Sequence, residues 1–254
     1  MTANQDTSMG GPSDRFPSTH WSVLKNAGNL SSPDAVAARE AVCRIYWKPV
    51  YAFIRSHNVL PGEDPKDLTQ EFLIEILEGN FLGRYVPQKG AFRTYLKGAV
   101  RFFLMECRNK SLTLKRGGGR KMIRMAEDET HRLDVLLADR TEDPEAIYDE
   151  IWARSLMDDA VAALENEMVQ AGKTVWFRAF RRYDLETGPD EELTYGKVSQ
   201  ELNVSESDVG NYLAYCRKRL RKLVVDRVTH TVDHPGDIRA ELDRILSHFR
   251  VRPA

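Results

Sequence analysis

The side chains best suited to chemistry fall between 205 and 222: Ser205, Ser207, Asn211, Tyr212 and Tyr215, then Arg217, Lys218, Arg219, Arg221 and Lys222. Polar groups at three- and four-residue spacing share one face of a helix. There they offer donors and acceptors of the kind that match base edges in a groove. The cations that follow suit phosphate oxygens, whose contacts set register and affinity without reading sequence. Asn211 carries the amide needed to meet an adenine through two hydrogen bonds.

Such a face works only on a helix held at a fixed angle, and the preceding residues supply the means. Tyr195, Val198 and Leu202 recur at helical spacing and mark a first helix. Asn203 stands where the chain must turn sharply, and asparagine tolerates the left-handed conformation better than any residue except glycine. Val204 closes the turn. Ser205 with Asp208 three residues on gives a capping-box pattern for a second helix. Val209, Leu213 and Leu220, with Cys216 between them, form its apolar stripe. A helical hairpin that merely packs would need none of the agreement between turn, cap and basic tail. Residues 194–228 therefore read as a helix-turn-helix running into a basic helix.

Charge is segregated. The net charge is −1, yet residues 84–124 hold twelve Lys/Arg and one acid, Glu106, whereas 60–82 hold six acids and one base, Lys66. Residues 127–150 hold ten acids against Arg132 and Arg140. One chain thus presents an acidic patch, a basic stretch and an acidic linker, as several distinct partners would require. Asp67, Glu71, Glu75 and Glu78 recur at spacings of four, four and three beside an apolar stripe of Leu68, Phe72 and Ile76. This is either an ordinary solvated face or a docking surface for a basic protein partner. The order of the surrounding elements favours docking through Asp67, Gln70, Glu71, Phe72 and Glu75. The basic stretch is interleaved with Tyr85, Phe92, Tyr95, Phe102 and Phe103, a mixture that holds unpaired bases by stacking and their backbone by charge. Tyr85, Lys89, Arg93, Lys97 and Arg101 are the expected exposed contacts.

The periodicities imply an all-α fold of two helical domains joined by a flexible linker, since no alternating run reaches strand length. The boundaries are a disordered N-terminus at 1–15, a helical domain at 16–110, a linker at 111–142, a helix-turn-helix domain at 143–228 and an extension with a short helix at 229–254. Asp64-Pro65 and Asp143-Pro144 each place an N-cap before a proline suited to a helix's first position. The acidic linker reads either as a nucleic-acid mimic or as a self-repelling tether. Cys43, Cys107 and Cys216 form no CxxC pair, so reduced buried thiols are expected. Without a signal segment or an apolar span, the expected location is the cytoplasm.

DPKDLTQEFLIEIL at 64–77, then GAFRTYLKGAVRFFLMECRNK, then the distal helix-turn-helix, together resemble the extracytoplasmic-function class of bacterial RNA polymerase sigma factors. The resemblance runs from about Phe16 to Val228, and its most specific element is the order of parts. It implies that the first domain grips core RNA polymerase through the acidic helix and opens the −10 promoter element. It further implies that the loop at 85–90 captures a flipped base, that the second domain binds the −35 element through 205–219, and that the linker passes into the polymerase interior. An anti-sigma factor or a Ser/Thr kinase would be further partners; no cofactor, metal or enzymatic activity is expected. Lys66 stands where the family often has an acid, and Gly210, Asn211 and Tyr212 where it often has basic residues. Thr69 lies beside Lys66 and is a candidate phosphosite, because a phosphate there would offset the lysine.

Two other classes compete. A stand-alone DNA-binding regulator would need only the helix-turn-helix, with Leu242, Ile245, Leu246 and Phe249 as a dimerising stripe. A polymerase-bound adaptor would lack promoter specificity. An enzyme is poorly supported. KRGGGRK at 115–121 lacks the spacing and Ser/Thr of a phosphate-binding loop, and the turn residues after His230 oppose a helix presenting both it and His234. The C-terminal helix, about 237–249, is expected to fold onto the second domain and regulate it.

Overall fold

The computed structural model describes residues 8–9, 35–57, 60, 62–78, 81–86, 90–111, 124–187, 192–229, 239, 241–243 and 245. Among these the regular structure is helical except for one parallel pairing, β1 (Ser8–Met9) with β2 (Arg124–Met125). Other residues of the N-terminal segment expected to be disordered lie outside the described set. The chain divides into two compact units, 1–155 with 228–254, and 156–227.

The first unit is built on α1 (Ala35–His57), which continues through Pro49. Val42, Cys43, Tyr46, Val50, Phe53 and Ile54 lie along it, fully or almost fully buried. Helix α2 (Pro65–Glu78) packs along α1. It starts where Asp64 accepts the Lys66 N–H at 2.8 Å, one of the orphan donors every helix start leaves. At its other end Arg39 of α1 donates to the Leu77 carbonyl at 2.6 Å. A 3-10 turn at Leu82–Arg84 leads toward α3 (Phe92–Ser111), whose Phe92, Leu96, Val100, Phe103 and Leu104 are buried.

The segment expected to be a flexible linker, 111–142, contains α4 (Glu127–Leu137), which packs on α1. Leu133 and Leu137 are buried there. Lys48 meets Glu129 at 2.8 Å, Tyr51 donates to Asp134 at 2.6 Å, and Arg55 pairs with the same carboxylate at 2.7 Å. The excess of acids suits a linker in isolation, but α1 supplies the cations and donors that meet them from about eighty residues earlier. The boundary between units also differs from the expected one. Helix α5 (Pro144–Gln170) begins at the Asp143 cap, whose Oδ1 accepts the Glu145 N–H at 3.1 Å, and the division at 155/156 falls within it.

The second unit takes the rest of α5, then α6 (Thr174–Phe180) with a π-turn at Arg181–Leu185, α7 (Tyr195–Leu202) and α8 (Glu206–Thr229). Leu164, Phe177, Phe180, Val198, Val209, Leu213 and Cys216 are all at most 3% exposed. All three cysteines are free and buried. Burial pushes the Cys216 thiol up to about 11, with Asp184 adding to the effect, so it stays protonated at neutral pH. No helix among the described residues is long and apolar enough to cross a membrane.

Candidate nucleic-acid interface

The turn between α7 and α8 has the geometry its residues require. Thr194 accepts the Lys197 N–H at 3.3 Å and caps α7. Asn203 adopts φ 55° and ψ 51°, and it is the one non-glycine residue with positive φ among those described. The Val204 N–H then returns to the Ser199 carbonyl at 3.0 Å, closing the helix end. Ser205 Oγ accepts the Asp208 N–H at 3.0 Å and donates to Asp208 Oδ2 at 2.7 Å. A Cβ at Gly196 would lie 2.9 Å from Glu206 Oε1, the end of a flexible, exposed side chain that can swing aside.

Asn203→Val should destabilise the second unit by about 1–2 kcal/mol, the cost of the left-handed conformation for a residue with a bulky Cβ. Asn203→Gly should leave the transition unchanged or slightly raised. Thermal unfolding of the two variants beside wild type reads the difference.

The outward face of α8 is narrower than its composition implies. Ser207, Asn211, Ala214, Tyr215, Lys218, Arg221 and Lys222 are exposed and follow one another at helical spacing. Four expected contacts are engaged within the unit instead. The Ser205 hydroxyl is held by Asp208. Tyr212 is half-buried and stacks on Trp176 with centroids 4.9 Å apart. Arg217 forks onto Asp184 at 2.9 and 2.8 Å, and Arg219 onto Glu167 at 2.6 and 2.7 Å. The Arg219 hydrogen bonds hold the Glu167 carboxyl below its usual range. Helical position decides the outcome: 217 and 219 lie on flanks that meet the π-turn and α5, whereas 218, 221 and 222 point away. Trp176 and Lys173 were not anticipated. Lys173 Nζ sits 4.2 Å from the Trp176 ring centroid and 4.6 Å from that of Tyr215. Nothing in the spacing of 173 and 176 relative to 215 signals that cluster.

In the first unit, Asp67 and Glu75 are exposed along α2, and Gln70 and Glu71 are half-buried on it. Phe72, expected at the docking surface, is 3% exposed. Its ring meets Phe81 and Phe103 with centroids 6.2 and 5.4 Å away, so the apolar stripe it belongs to is core. Thr69 is fully buried and its hydroxyl donates to the Pro65 carbonyl at 2.7 Å. A kinase therefore has no access to it in the folded chain, and the phosphosite expectation is corrected.

The basic-aromatic region departs furthest from expectation. Tyr85 is half-buried, its ring 5.1 Å from Phe92 and its hydroxyl donating to the Gly90 carbonyl at 2.9 Å. Lys89 lies outside the described residues. Arg93 is 2% exposed, with its side chain bound to Asp149 at 2.6 Å and to Glu241. Burial works against its charge most strongly of any single influence, but the Glu241 and Asp149 carboxylates together outweigh it and raise its pKa. Lys97 meets Asp149 at 3.0 Å, and Arg101 pairs with Glu145. Arg93, Lys97 and Arg101 are therefore ion-paired rather than free. The acids that hold them are remote in sequence. Glu241 belongs to the C-terminal segment, whose described residues 239, 241–243 and 245 are helical, with Ile245 fully buried. That segment belongs to the first unit, not to the second as expected.

No protein-family model, curated protein or solved structure matches the chain.

Proposed function

We propose that the chain is a transcription initiation factor of the sigma type, which binds core RNA polymerase and directs it to particular promoters. The observation that carries this reading is the helix-turn-helix. A left-handed Asn203 and a capped α8 present Ser207, Asn211 and Tyr215, then Lys218, Arg221 and Lys222, along one exposed face. Direct readout through Ser207 and Asn211, with phosphate contacts from the cations, suits the major groove. The acidic run of Asp67, Glu71 and Glu75 on α2 supports the polymerase part, because charge complementarity speeds encounter with a basic partner surface. The resemblance in the order of parts supports both.

The test is transcription in vitro by core RNA polymerase on fragmented genomic DNA from the same organism. Starts sharing an upstream motif, abolished by Asp67→Arg with Glu71→Arg, are the expected result. Duplex binding without any polymerase-dependent start would favour the stand-alone regulator. One observation favours that second reading: the cations of α3 are ion-paired, which leaves the α8 face as the exposed cationic face of the two.

A further inference from the structure

Lys173 is held through its backbone on both sides. Gly172, at φ 69°, turns the chain out of α5 in the left-handed conformation that glycine takes without strain. The Lys173 N–H returns to the Met168 carbonyl at 2.8 Å, and the Lys173 carbonyl accepts the Trp176 N–H at 2.9 Å as α6 begins. The side chain is held as well. Its Nζ lies 4.2 Å from the Trp176 ring centroid and 4.6 Å from that of Tyr215, where a ring face attracts a cation. Those rings are braced against α8. Trp176 stacks on Tyr212 at 16° and meets Tyr215 edge-on at 82°, and the Cys216 thiol donates to the Trp176 carbonyl at 3.7 Å.

The ammonium keeps its charge in this seat, because a ring offers a quadrupole and no net charge. Arg217 and Arg219, by contrast, are held by carboxylates. The ring beside Lys173 also belongs to the outward surface: Tyr215 is 41% exposed and lies on α8 between the exposed Asn211 and Lys218. Lys173 is itself only half-buried, at the edge of that surface. We propose that Lys173 grips a phosphate of the duplex strand bordering the groove that α8 enters, and that Trp176 is the residue that positions it. The inference rests on the duplex-binding role proposed above for α8. A loose lysine loses much of its rotamer freedom on gripping one phosphate. Rings that already hold the side chain remove most of that loss before DNA arrives. The interface then has two parts, with α8 set to read bases and the start of α6 fixing register through the backbone.

The test titrates the full chain against labelled promoter-length duplexes of two unrelated sequences, with binding read by anisotropy across a salt series. Lys173→Gln should weaken binding about fivefold on both and flatten the slope of log affinity against log salt by about one. Lys173→Arg keeps a cation that stacks on rings and binds phosphate, and should stay within about twofold of wild type. Trp176→Leu should weaken binding about threefold, because the ammonium remains but is no longer placed. In the Lys173→Gln background the same change should cost nothing further, whereas a tryptophan with a merely structural role costs the same in both backgrounds. If the leucine variant does not fold, Trp176→Phe carries the same cycle with a smaller loss. Unchanged affinity and slope in a Lys173→Gln chain that melts like wild type would overturn the contact and leave the lysine as packing. Equal losses from the tryptophan change in both backgrounds would overturn its positioning role. A wild-type chain that binds neither duplex overturns the DNA role of α8 and this contact with it, whereas duplex binding indifferent to Lys173 overturns the contact alone. The measurement contains no polymerase, so the initiation reading stands or falls separately.

Discussion

Under the proposed function, reversing the charge of Lys218, Arg221 and Lys222 together should lower affinity for duplex DNA by on the order of a hundredfold at moderate salt, and flatten the salt slope by about three. Each of these side chains is exposed on α8 and would, in the proposed function, make one phosphate contact. Arg217→Ala and Arg219→Ala behave differently, although they lie in the same basic run. Their guanidinium groups are forked onto Asp184 and Glu167, so their loss lowers the melting temperature of the unit. DNA affinity then changes by a few-fold at most. Anisotropy titrations on one promoter-length duplex, paired with melting curves, separate the two groups. Equal effects from all five positions would mean that the ion pairs dissolve on DNA.

Arg93→Met destabilises the first unit by about 3–5 kcal/mol, the usual consequence of removing one partner from a buried ion pair. Glu241, 4% exposed, would be left without its fork, and the face over the Trp152 ring, 5.1 Å from the guanidinium, would lose its cation. The melting temperature falls by on the order of 10 °C. Arg101→Met, further along α3, costs less than about 1 kcal/mol, because solvent already screens its pair with Glu145. Circular dichroism melts of the two variants give the comparison. A similar loss for both would show that the difference in burial between the two arginines has no energetic counterpart.

The helices and their ends were legible wherever the information is local. Asp64-Pro65 and Asp143-Pro144 start α2 and α5 one residue after the cap. Asn203 turns left-handed and Ser205 caps α8 through Asp208. Such signals act over a few residues, because capping and turn bonds join neighbours in sequence. The acid-rich 127–137 resembles a linker in isolation for the complementary reason. Eleven residues of α4 are stabilised by Lys48, Tyr51 and Arg55, and no local pattern shows that those partners wait on α1.

The candidate face on α8 shows the same divide within a single helix. Residue types from 205 to 222 carried enough information to place a polar and cationic surface on α8. They did not say which cations stay exposed, because that depends on where the π-turn and α5 put Asp184 and Glu167. On α3 the ambiguity was complete. Arg93 and Arg101 look alike as basic residues at helical spacing, yet one is 2% and the other 51% exposed.

Read alone, the amino-acid order settled what short-range physics controls: a mostly helical fold among the described residues, the start of most helices, the left-handed turn, and a polar-basic face on α8. Tertiary structure decided whether each charge is free or paired. An ion pair such as Arg93 with Glu241 joins residues 148 positions apart, and only the packing that buries both makes the pairing obligatory.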